Sequence, residues 1–203
     1  MTIEIRKIEE TDKDSLIDIC FITGDYFLKT IYPDPYLFSL FWCLYYVWYE
    51  TNNSFVAVDS EKNKIIGYIF STLNTHYQEK NFKIAMRSKI RDRIKELKRH
   101  SIKTWIVTWF ILNRPTTRKR KKILNKYPAH LHINILPEYQ RQGIGWKLMR
   151  TLESHLKENN IIGYHLEVSA NNNVGINFYK KYDLNLLMKT SRNLIFGRKL
   201  LYF

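Results

Sequence analysis

The sequence predicts a mixed α/β domain that carries a basic helical insert. Stretches in which apolar and polar residues alternate, as in strands, are interspersed with stretches whose apolar residues recur at helical spacing. Of the 203 residues, 45% are hydrophobic and 26% are charged, which is typical of a globular protein with a sizeable core. No internal repeat or flexible linker interrupts the pattern, so we expect one domain.

Several classes of protein are excluded by composition. The longest apolar runs, 37–48 and 105–112, fall short of the roughly 20 residues that a membrane-spanning helix needs. The first ten residues are charged and lack the apolar core of a signal peptide. Cys20 and Cys43 are too few for a disulfide framework or a cysteine zinc site. We therefore expect an intracellular protein with reduced thiols, cytoplasmic, or nuclear if its source is a eukaryote.

The first fifty residues are expected to contain one strand and two helices. Alternation predicts a strand over Thr2–Ile8, and helical spacing predicts a helix over Asp12–Cys20. Thr23–Asp25 and Pro33–Pro35 are turn and breaker signals. Phe38–Glu50 then predicts a strongly aromatic helix that is buried on most sides.

The aromatic residues of that second helix have two interpretations, a structural core or a cage for a ligand. We expect core, and the residues concerned are Trp42, Tyr45, Tyr46, Trp48 and Tyr49. Cys20 and Cys43 lie on apolar helical faces and are also expected in the core.

Two strands follow, Phe55–Asp59 and Lys64–Leu73, around the polar turn Ser60–Asn63. Gly67 lies inside the second strand and indicates a bulge or a close approach of another backbone segment.

Residues 77–127 follow a helical pattern and carry the whole excess of positive charge. Of the 33 Lys and Arg residues, 17 lie between Lys80 and Lys126, with only Asp92 and Glu96 as acids, although the whole chain has a net charge of +14. An apolar stripe of helical spacing runs through the segment and consists of Met86, Ile90, Ile94 and Leu97. The basic residues on the same predicted helix include Lys89, Arg91, Arg93, Lys95, Lys98 and Arg99, and Arg114-Pro115 ends the next apolar run before the basic run Arg118–Lys122.

Three interpretations of these charges remain open. The first is a solvated face around the apolar stripe. The second is a surface that docks on a polyanion such as nucleic acid, and the third is a basic amphipathic helix on an anionic membrane surface.

The remaining chain alternates strands and helices. The predicted elements are a strand over Ala129–Ile135, a helix over Gly143–Asn159, a strand over Gly163–Val168, a short helix over Val174–Tyr182 and a final strand over Asn193–Tyr202.

The turn between the first of these strands and the following helix has the character of an anion site. Backbone N–H groups and the helix dipole at such a turn favour a phosphate or pyrophosphate. Gly143 and Gly145 would let a ligand approach the backbone. The nucleotide P-loop is excluded because the Gly-Lys-Ser/Thr ending is missing, and the dinucleotide fingerprint because Arg141 stands at its first glycine.

Gln140-x-x-Gly143-x-Gly145 after a strand resembles the acetyl-CoA pyrophosphate loop of the GNAT superfamily of acyltransferases. Asn172-x-x-Gly175-x-x-x-Tyr179 resembles the second signature of that family, with Gly175 where alanine is usual and Asp183-Leu184 where Gly-Phe is common. The resemblance implies a GNAT fold: a mixed, mostly antiparallel sheet with helices on both faces. The basic insert, at about 77–127, would then lie between strands 3 and 4, and the acetyl-CoA-binding core would span about 129–184 of a single domain.

A narrower resemblance extends over most of the chain. It rests on Cys20-x-x-Thr23-Gly24-Asp25, Asp34-Pro35 and the run from Tyr127 to His132. These residues are similar to a bacterial GNAT branch that resembles the acetyltransferase-like domain of O-GlcNAc hydrolase, a group in which some members look catalytically inert.

The family resemblance also implies roles for individual residues. Pantetheine would pair with the splayed strand at Ile133, Asn134 and Ile135. Asn172 would lie beside the cofactor arm, and Tyr179 would protonate the leaving thiolate. The pyrophosphate would be held by the backbone N–H groups of Gln140, Arg141, Gln142, Gly143, Ile144, Gly145 and Trp146.

Three further residues have both a structural and a functional interpretation. His132, which shares a strand face with His130 and Asn134, is either a buried histidine or a base that deprotonates an ammonium substrate. Asp25 either lines the substrate side or forms an Asx-type turn. Asn172 could also simply cap the following helix.

The sequence therefore predicts an acetyl-CoA-dependent acyltransferase that moves an acetyl group directly to an amine, with acetyl-CoA as cosubstrate and without a metal. We expect the acceptor to be a small-molecule or peptide amine. The sequence does not specify which amine it is, nor the oligomeric state. Two alternatives are a non-catalytic acetyltransferase-like module and a polyanion-binding protein that acts through the basic insert.

Overall fold

A computed structural model describes residues 2–97, 101–113 and 116–200. The strands are β1 (Ile3–Lys7), β2 (Phe55–Asp59), β3 (Lys64–Thr72), β4 (Ala129–Ile135), β5 (Gly163–Ser169), β6 (Asn185–Lys189) and β7 (Asn193–Lys199). The helices are α1 (Lys13–Thr23), α2 (Tyr26–Ile31), α3 (Pro35–Trp42), α4 (Leu44–Tyr49), α5 (Thr75–Glu96), α6 (Ile102–Asn113), α7 (Arg118–Lys126), α8 (Ile144–Glu158) and α9 (Asn173–Lys181).

The strands form one sheet in the order β1-β2-β3-β4-β5-β7-β6. Every neighbouring pair is antiparallel except β4 and β5, which are parallel. This arrangement confirms the mixed, mostly antiparallel sheet that the sequence predicts.

Helices pack on both faces of the sheet. His130 and His132 of β4 contact the ring of Tyr46 in α4. Ile135 of the same strand instead approaches Gly145 in α8. Because successive strand residues point to opposite faces, α4 and α8 lie on opposite sides of β4.

The predicted aromatic helix is two helices rather than one. Asp34 caps α3 by accepting a hydrogen bond from the N–H of Leu37, and Pro35 occupies the first turn, so α3 begins before the predicted Phe38. Cys43 has φ −131° and ψ −61°, which is not helical, and separates α3 from α4. Cys20 and Cys43 are both buried, as expected.

Two elements have no counterpart in the sequence prediction. The helix α2 has only six residues, and its start is marked by Asp25, which accepts a hydrogen bond from the N–H of Leu28. The strand β6 is a short strand at the edge of the sheet. Periodicity is weak evidence in segments of five or six residues, which explains both omissions.

Both features that Gly67 could indicate, a bulge and a close approach of another backbone segment, are present in β3. Ala57 pairs with Gly67 and Val58 pairs with Ile65, so Ile66 is the extra residue. A Cβ atom on Gly67 would lie 2.9 Å from the carbonyl oxygen of Asn134, which explains the glycine.

Three helices, α5 to α7, lie between β3 and β4. Met86, Ile90 and Ile94 of the predicted apolar stripe are fully buried, and Leu97 is partly buried. The predicted positions of Lys98, Arg99 and Arg114-Pro115 lie outside the described residues. Within the described ranges, none of the helices combines the length and the apolar character that crossing a bilayer requires.

Candidate active site

The candidate site lies where β4 and β5 separate. The two strands pair only at Ala129 with Tyr164 and at His130 with His165, although β4 continues to Ile135. From Leu131 to Ile135, β4 pairs with β3 on one edge and has no β5 partner on the other. Its backbone groups on that open edge can therefore pair with an extended ligand.

Two of the predicted contacts on β4 are restricted to the backbone. The side-chain amide of Asn134 donates a hydrogen bond of 2.6 Å to the hydroxyl oxygen of Tyr68 on the neighbouring strand. Ile135 packs toward α8. Only the main chain of these residues is therefore available to a ligand in the opening.

The loop after β4 is held by its own side chains. The amide of Gln140 donates to the carbonyl oxygen of Ile135 at 3.0 Å, and the amide of Gln142 donates to that of Glu138 at 3.1 Å. Arg141 and Gly143 both have positive φ, of 62° and 79°. Such left-handed residues turn successive N–H groups toward one side, which makes a concave anion site.

The two glycines of the loop motif have different roles. A Cβ atom on Gly143 would meet no atom within 4 Å, so the space in front of this residue is open. A Cβ atom on Gly145 would lie 3.0 Å from the ring of Phe178. The interpretation that both glycines admit a ligand therefore fits Gly143, whereas Gly145 lets α8 pack closely on α9.

The N-terminus of α8 is not capped by a side chain. Gly143 is the N-cap residue, and the first turn contains no acidic residue. The N–H of Lys147 makes the first intrahelical bond, to the carbonyl oxygen of Gly143. The N–H groups of Ile144, Gly145 and Trp146 precede it and, together with the helix dipole, favour an anion.

Tyr179 lies on α9 and is buried against aromatic rings. Its ring centroid is 5.4 Å from that of Phe178 and 5.9 Å from that of Phe196 on β7. Burial raises the pKa of Tyr179 above its ordinary value. The phenol therefore keeps its proton at neutral pH and has one to donate.

Asn172 and Asp25 act as helix caps. The side-chain oxygen of Asn172 accepts a hydrogen bond of 2.8 Å from the N–H of Gly175 at the start of α9. Asp25 does the same for Leu28 in α2 at 3.0 Å, and its side chain is exposed. In both cases the geometry favours the structural interpretation.

Three histidines, His130, His132 and His165, lie close together where β4 and β5 begin to separate. The ring nitrogens of His130 lie 2.6 Å from the hydroxyl of Tyr46 and 2.9 Å from that of Thr75, so both are engaged. Nδ1 of His165 lies 2.8 Å from the carbonyl oxygen of Tyr127. These two histidines are structural.

His132 remains a neutral imidazole. Burial lowers its pKa to about 4, while the charge of Glu167 acts in the opposite direction. At neutral pH the ring carries no charge and can accept a proton, but its low pKa makes it a weak base.

A partly buried ion-pair network that sequence analysis missed lies beside this cluster. Arg120 donates to Glu79 in α5 at 2.9 Å and to Glu167 in β5 at 3.0 Å, and only 19% of its side chain is exposed. Asn193 also donates to Glu167, at 2.6 Å. Nothing in the sequence distinguishes Arg120 from its basic neighbours, so no signal could have revealed this contact. Within the described residues, no three histidine, cysteine or acidic side chains are grouped as a metal site would require.

The separating strands and the uncapped start of α8 suit an extended ligand that carries an anionic group, and the comparisons with known proteins identify the class of protein. Residues 24–183 match the acetyltransferase (GNAT) family, and the chain belongs to that family. Its fold is the α/β fold of that family.

Solved structures show the same fold. SsHAT is 26% identical, with a TM-score of 0.83, and 98% of each chain is covered. PaiA N-acetyltransferase of Thermoplasma acidophilum, in complex with coenzyme A, is 17% identical with a TM-score of 0.57, covering 98% of this chain and 100% of that chain. Naa20 of Chaetomium thermophilum, in complex with a bisubstrate analogue, is 17% identical with a TM-score of 0.54, covering 97% and 86%.

Proposed function

We propose that the protein is an acetyl-CoA-dependent N-acetyltransferase that transfers the acetyl group directly to an amine. The observation that carries this proposal is the separation of β4 and β5 beside the uncapped start of α8. Membership of the acetyltransferase family supports it.

The described residues fit acetyl-CoA at this place. The open space at Gly143 and the N–H groups from Gln140 to Trp146 suit a pyrophosphate. The open edge of β4 at Ile133, Asn134 and Ile135 suits the extended, amide-containing pantetheine arm. Acetyl-CoA supplies an activated thioester, and the protein supplies its position.

The proposed reaction needs no covalent enzyme intermediate and no metal. The acceptor nitrogen forms a bond to the acetyl carbon, and the carbon–sulfur bond breaks. A backbone N–H of β4 polarises the acetyl oxygen. Tyr179, neutral at physiological pH, gives its proton to the leaving thiolate, and the second proton that the nitrogen loses as the amide forms restores the phenol.

The amine must lose a proton before it attacks. His132 is the candidate base within the cluster, either directly or through a water molecule. Its pKa of about 4 means that it would pass a proton on rather than hold it. An acceptor amine with a lowered pKa would need little help from such a base.

The experiment measures binding and turnover on the same purified protein. Calorimetry with acetyl-CoA tests the site, and release of free thiol against a panel of small amines and peptide N-termini tests transfer. We expect saturable binding and acceptor-dependent thiol release. Binding without release for any acceptor would favour the non-catalytic module, and absence of binding would refute the cofactor site.

We further infer a single acyltransferase domain over 1–203. In it, residues 77–127 form a basic helical insert and residues 129–184 form the cofactor-binding core, within the branch that resembles the acetyltransferase-like domain of O-GlcNAc hydrolase. Two free thiols favour a cytoplasmic location.

Contact of α7 with a polyanion is a second candidate function. Arg118, Lys119, Lys121 and Lys122 are all exposed, whereas Arg120 points inward to its carboxylates. Changing only those four cations to Gln should remove weak, salt-sensitive binding to nucleic acid or anionic vesicles and leave acetyl-CoA affinity unchanged. Equal binding by the variant and the unchanged protein at low salt would refute this role.

A further inference from the structure

An open cavity of about 460 Å³ lies away from the loop of the candidate active site. It is bounded by the end of α4, the end of β3 and the start of α5. Thr72 in its wall pairs with His130 at the start of β4, whereas the loop before α8 follows the other end of that strand. The cavity is therefore at the opposite end of β4 from the proposed pyrophosphate site.

Aromatic rings form much of the wall of this cavity. Tyr45 is buried, and its ring centroid is 5.1 Å from that of Tyr49. Tyr49 and Tyr77 remain 53% and 64% exposed. Tyrosine faces carry negative electrostatic potential and attract organic cations, most strongly where water is excluded.

A buried carboxylate completes the cavity. Glu50 is 8% exposed and accepts hydrogen bonds of 2.7 Å from the hydroxyl of Thr72 and from the amide of Asn53. Both partners are neutral, and within the described part of the chain Glu50 makes no ion pair with a lysine or arginine. Burial raises the pKa of Glu50, because its charge has lost water without gaining a cation.

We propose that this cavity binds an organic ammonium group, which pairs with Glu50 and packs against the faces of Tyr49 and Tyr77. An anionic ligand would be repelled by the carboxylate. An apolar ligand would desolvate the Glu50 carboxylate further without supplying a compensating positive charge. An alkylammonium satisfies both the carboxylate and the aromatic walls.

The affinity must come from the cavity itself. The chain has a net charge of +14, so its long-range field repels cations. Short-range pairing with Glu50 and the tyrosine faces is therefore the source of attraction. The ligand class includes free alkylamines and the lysine side chain of a peptide, which share this chemistry.

The test uses n-butylammonium as the probe, with n-butanol as its neutral counterpart, on the full chain without acetyl-CoA. We expect saturable binding of n-butylammonium by NMR titration, with shifts at Tyr77 and Asn81, and much weaker binding of n-butanol. A peptide containing one internal lysine, compared with its norleucine analogue, distinguishes a protein-borne ammonium group from a free amine.

Three variants sharpen the test. Glu50→Gln should weaken n-butylammonium binding about tenfold, as expected for the loss of one partly buried charge pair. Tyr77→Leu should weaken it several-fold by removing a cation–π face. Tyr26→Leu is the matched control, because Tyr26 is 82% exposed on α2, and it should change nothing.

The proposal is overturned if n-butanol binds as tightly as n-butylammonium, or if n-butylammonium shows no saturable binding. It is also overturned if Tyr77→Leu behaves like Tyr26→Leu. Because Tyr77 is exposed, this variant remains informative even if Glu50→Gln fails to fold. Acetyl transfer is not part of the readout, so failure here leaves the proposed function intact.

Discussion

The strand opening at 131–146 and the three helices at 75–126 use charge in opposite ways. The opening presents backbone N–H groups at an uncapped helix start and contains few charged side chains. The helices contain about half of the basic residues of the chain, yet some of their arginines are engaged inside the molecule. The capacity of a segment to bind an anion therefore depends on whether its donors are already paired within the protein, not on how many positive charges it contains.

Arg93 and Arg120 illustrate this difference. Arg93 donates two hydrogen bonds to Asp34, the residue that caps α3, and so ties α5 to that helix. Arg120 ties α7 to both α5 and β5 through Glu79 and Glu167. Both residues belong to the basic excess in composition, but in the structure they stabilise the fold.

The largest effect is expected beside the strand opening, at Tyr179. Tyr179→Phe removes the proposed proton donor, so kcat should fall roughly 10²–10⁴-fold, the usual scale for a general acid. Acetyl-CoA affinity by calorimetry should change little, since the hydroxyl is proposed to act only as the thiolate leaves. Tyr182→Phe is the control on the same segment, and equal kcat values for the two variants would remove the role of Tyr179.

The two loop glycines separate ligand binding from packing. Gly143→Val places a β-branched residue at φ 79° and fills the open space, so the thermal shift produced by acetyl-CoA should disappear. Gly145→Ala meets the ring of Phe178 at 3.0 Å, so it should lower the melting temperature of the ligand-free protein. A full acetyl-CoA shift in Gly143→Val would show that the anion lies elsewhere.

Substitutions of Arg120 and Lys119 compare a charge held in ion pairs with an exposed charge in the same basic run. Arg120→Gln leaves Glu79 and Glu167 without their shared cation and should lower the free energy of unfolding by about 2–3 kcal/mol. Lys119→Gln should stay within about 0.5 kcal/mol. Urea unfolding measures both, and indistinguishable midpoints would contradict the structural role of Arg120.

The smallest of these effects concerns acid stability. Burial alone would raise the pKa of Asp34, but hydrogen bonds from Arg93 and from the N–H of Leu37 outweigh it, and the pKa lies below its usual value. The stabilisation is therefore present above about pH 3.9, the usual pKa of aspartate, and is lost as the pH falls through the lower folded value.

Asp34→Asn keeps the cap but removes the charge, so it should cost about 1 kcal/mol at pH 7. The difference from the unchanged protein should vanish near pH 2. Unfolding curves at both pH values measure it, and a constant difference would mean that packing, not charge, is responsible.

Sequence patterns predicted most of the fold because long elements have strong periodicity. The buried stripe of α5 and the five predicted strands from β1 to β5 illustrate this. The break at Cys43 and the strand β6 were missed because they depend on tertiary packing and on a strand neighbour, neither of which is encoded in local spacing.

The candidate site was partly predictable for the same reason. Gly143 was recognisable from the motif Gln140-x-x-Gly143-x-Gly145 after a strand. The hydrogen bonds from Arg120 to Glu167 and from Thr72 to Glu50 were not, since these partners are distant in sequence. Tyr45 and Tyr49 belong to the aromatic set for which a ligand cage was the alternative interpretation, but core was the expectation for that set.

The open edge of β4 also bears on association with other chains. Residues 131–135 contain no lysine, proline or bulge, the features that usually keep an exposed strand from recruiting another chain. A pantetheine arm lying along this edge would cover it, as a neighbouring strand does elsewhere in the sheet. A ligand bound along this edge would therefore also protect it from pairing with a strand of another chain.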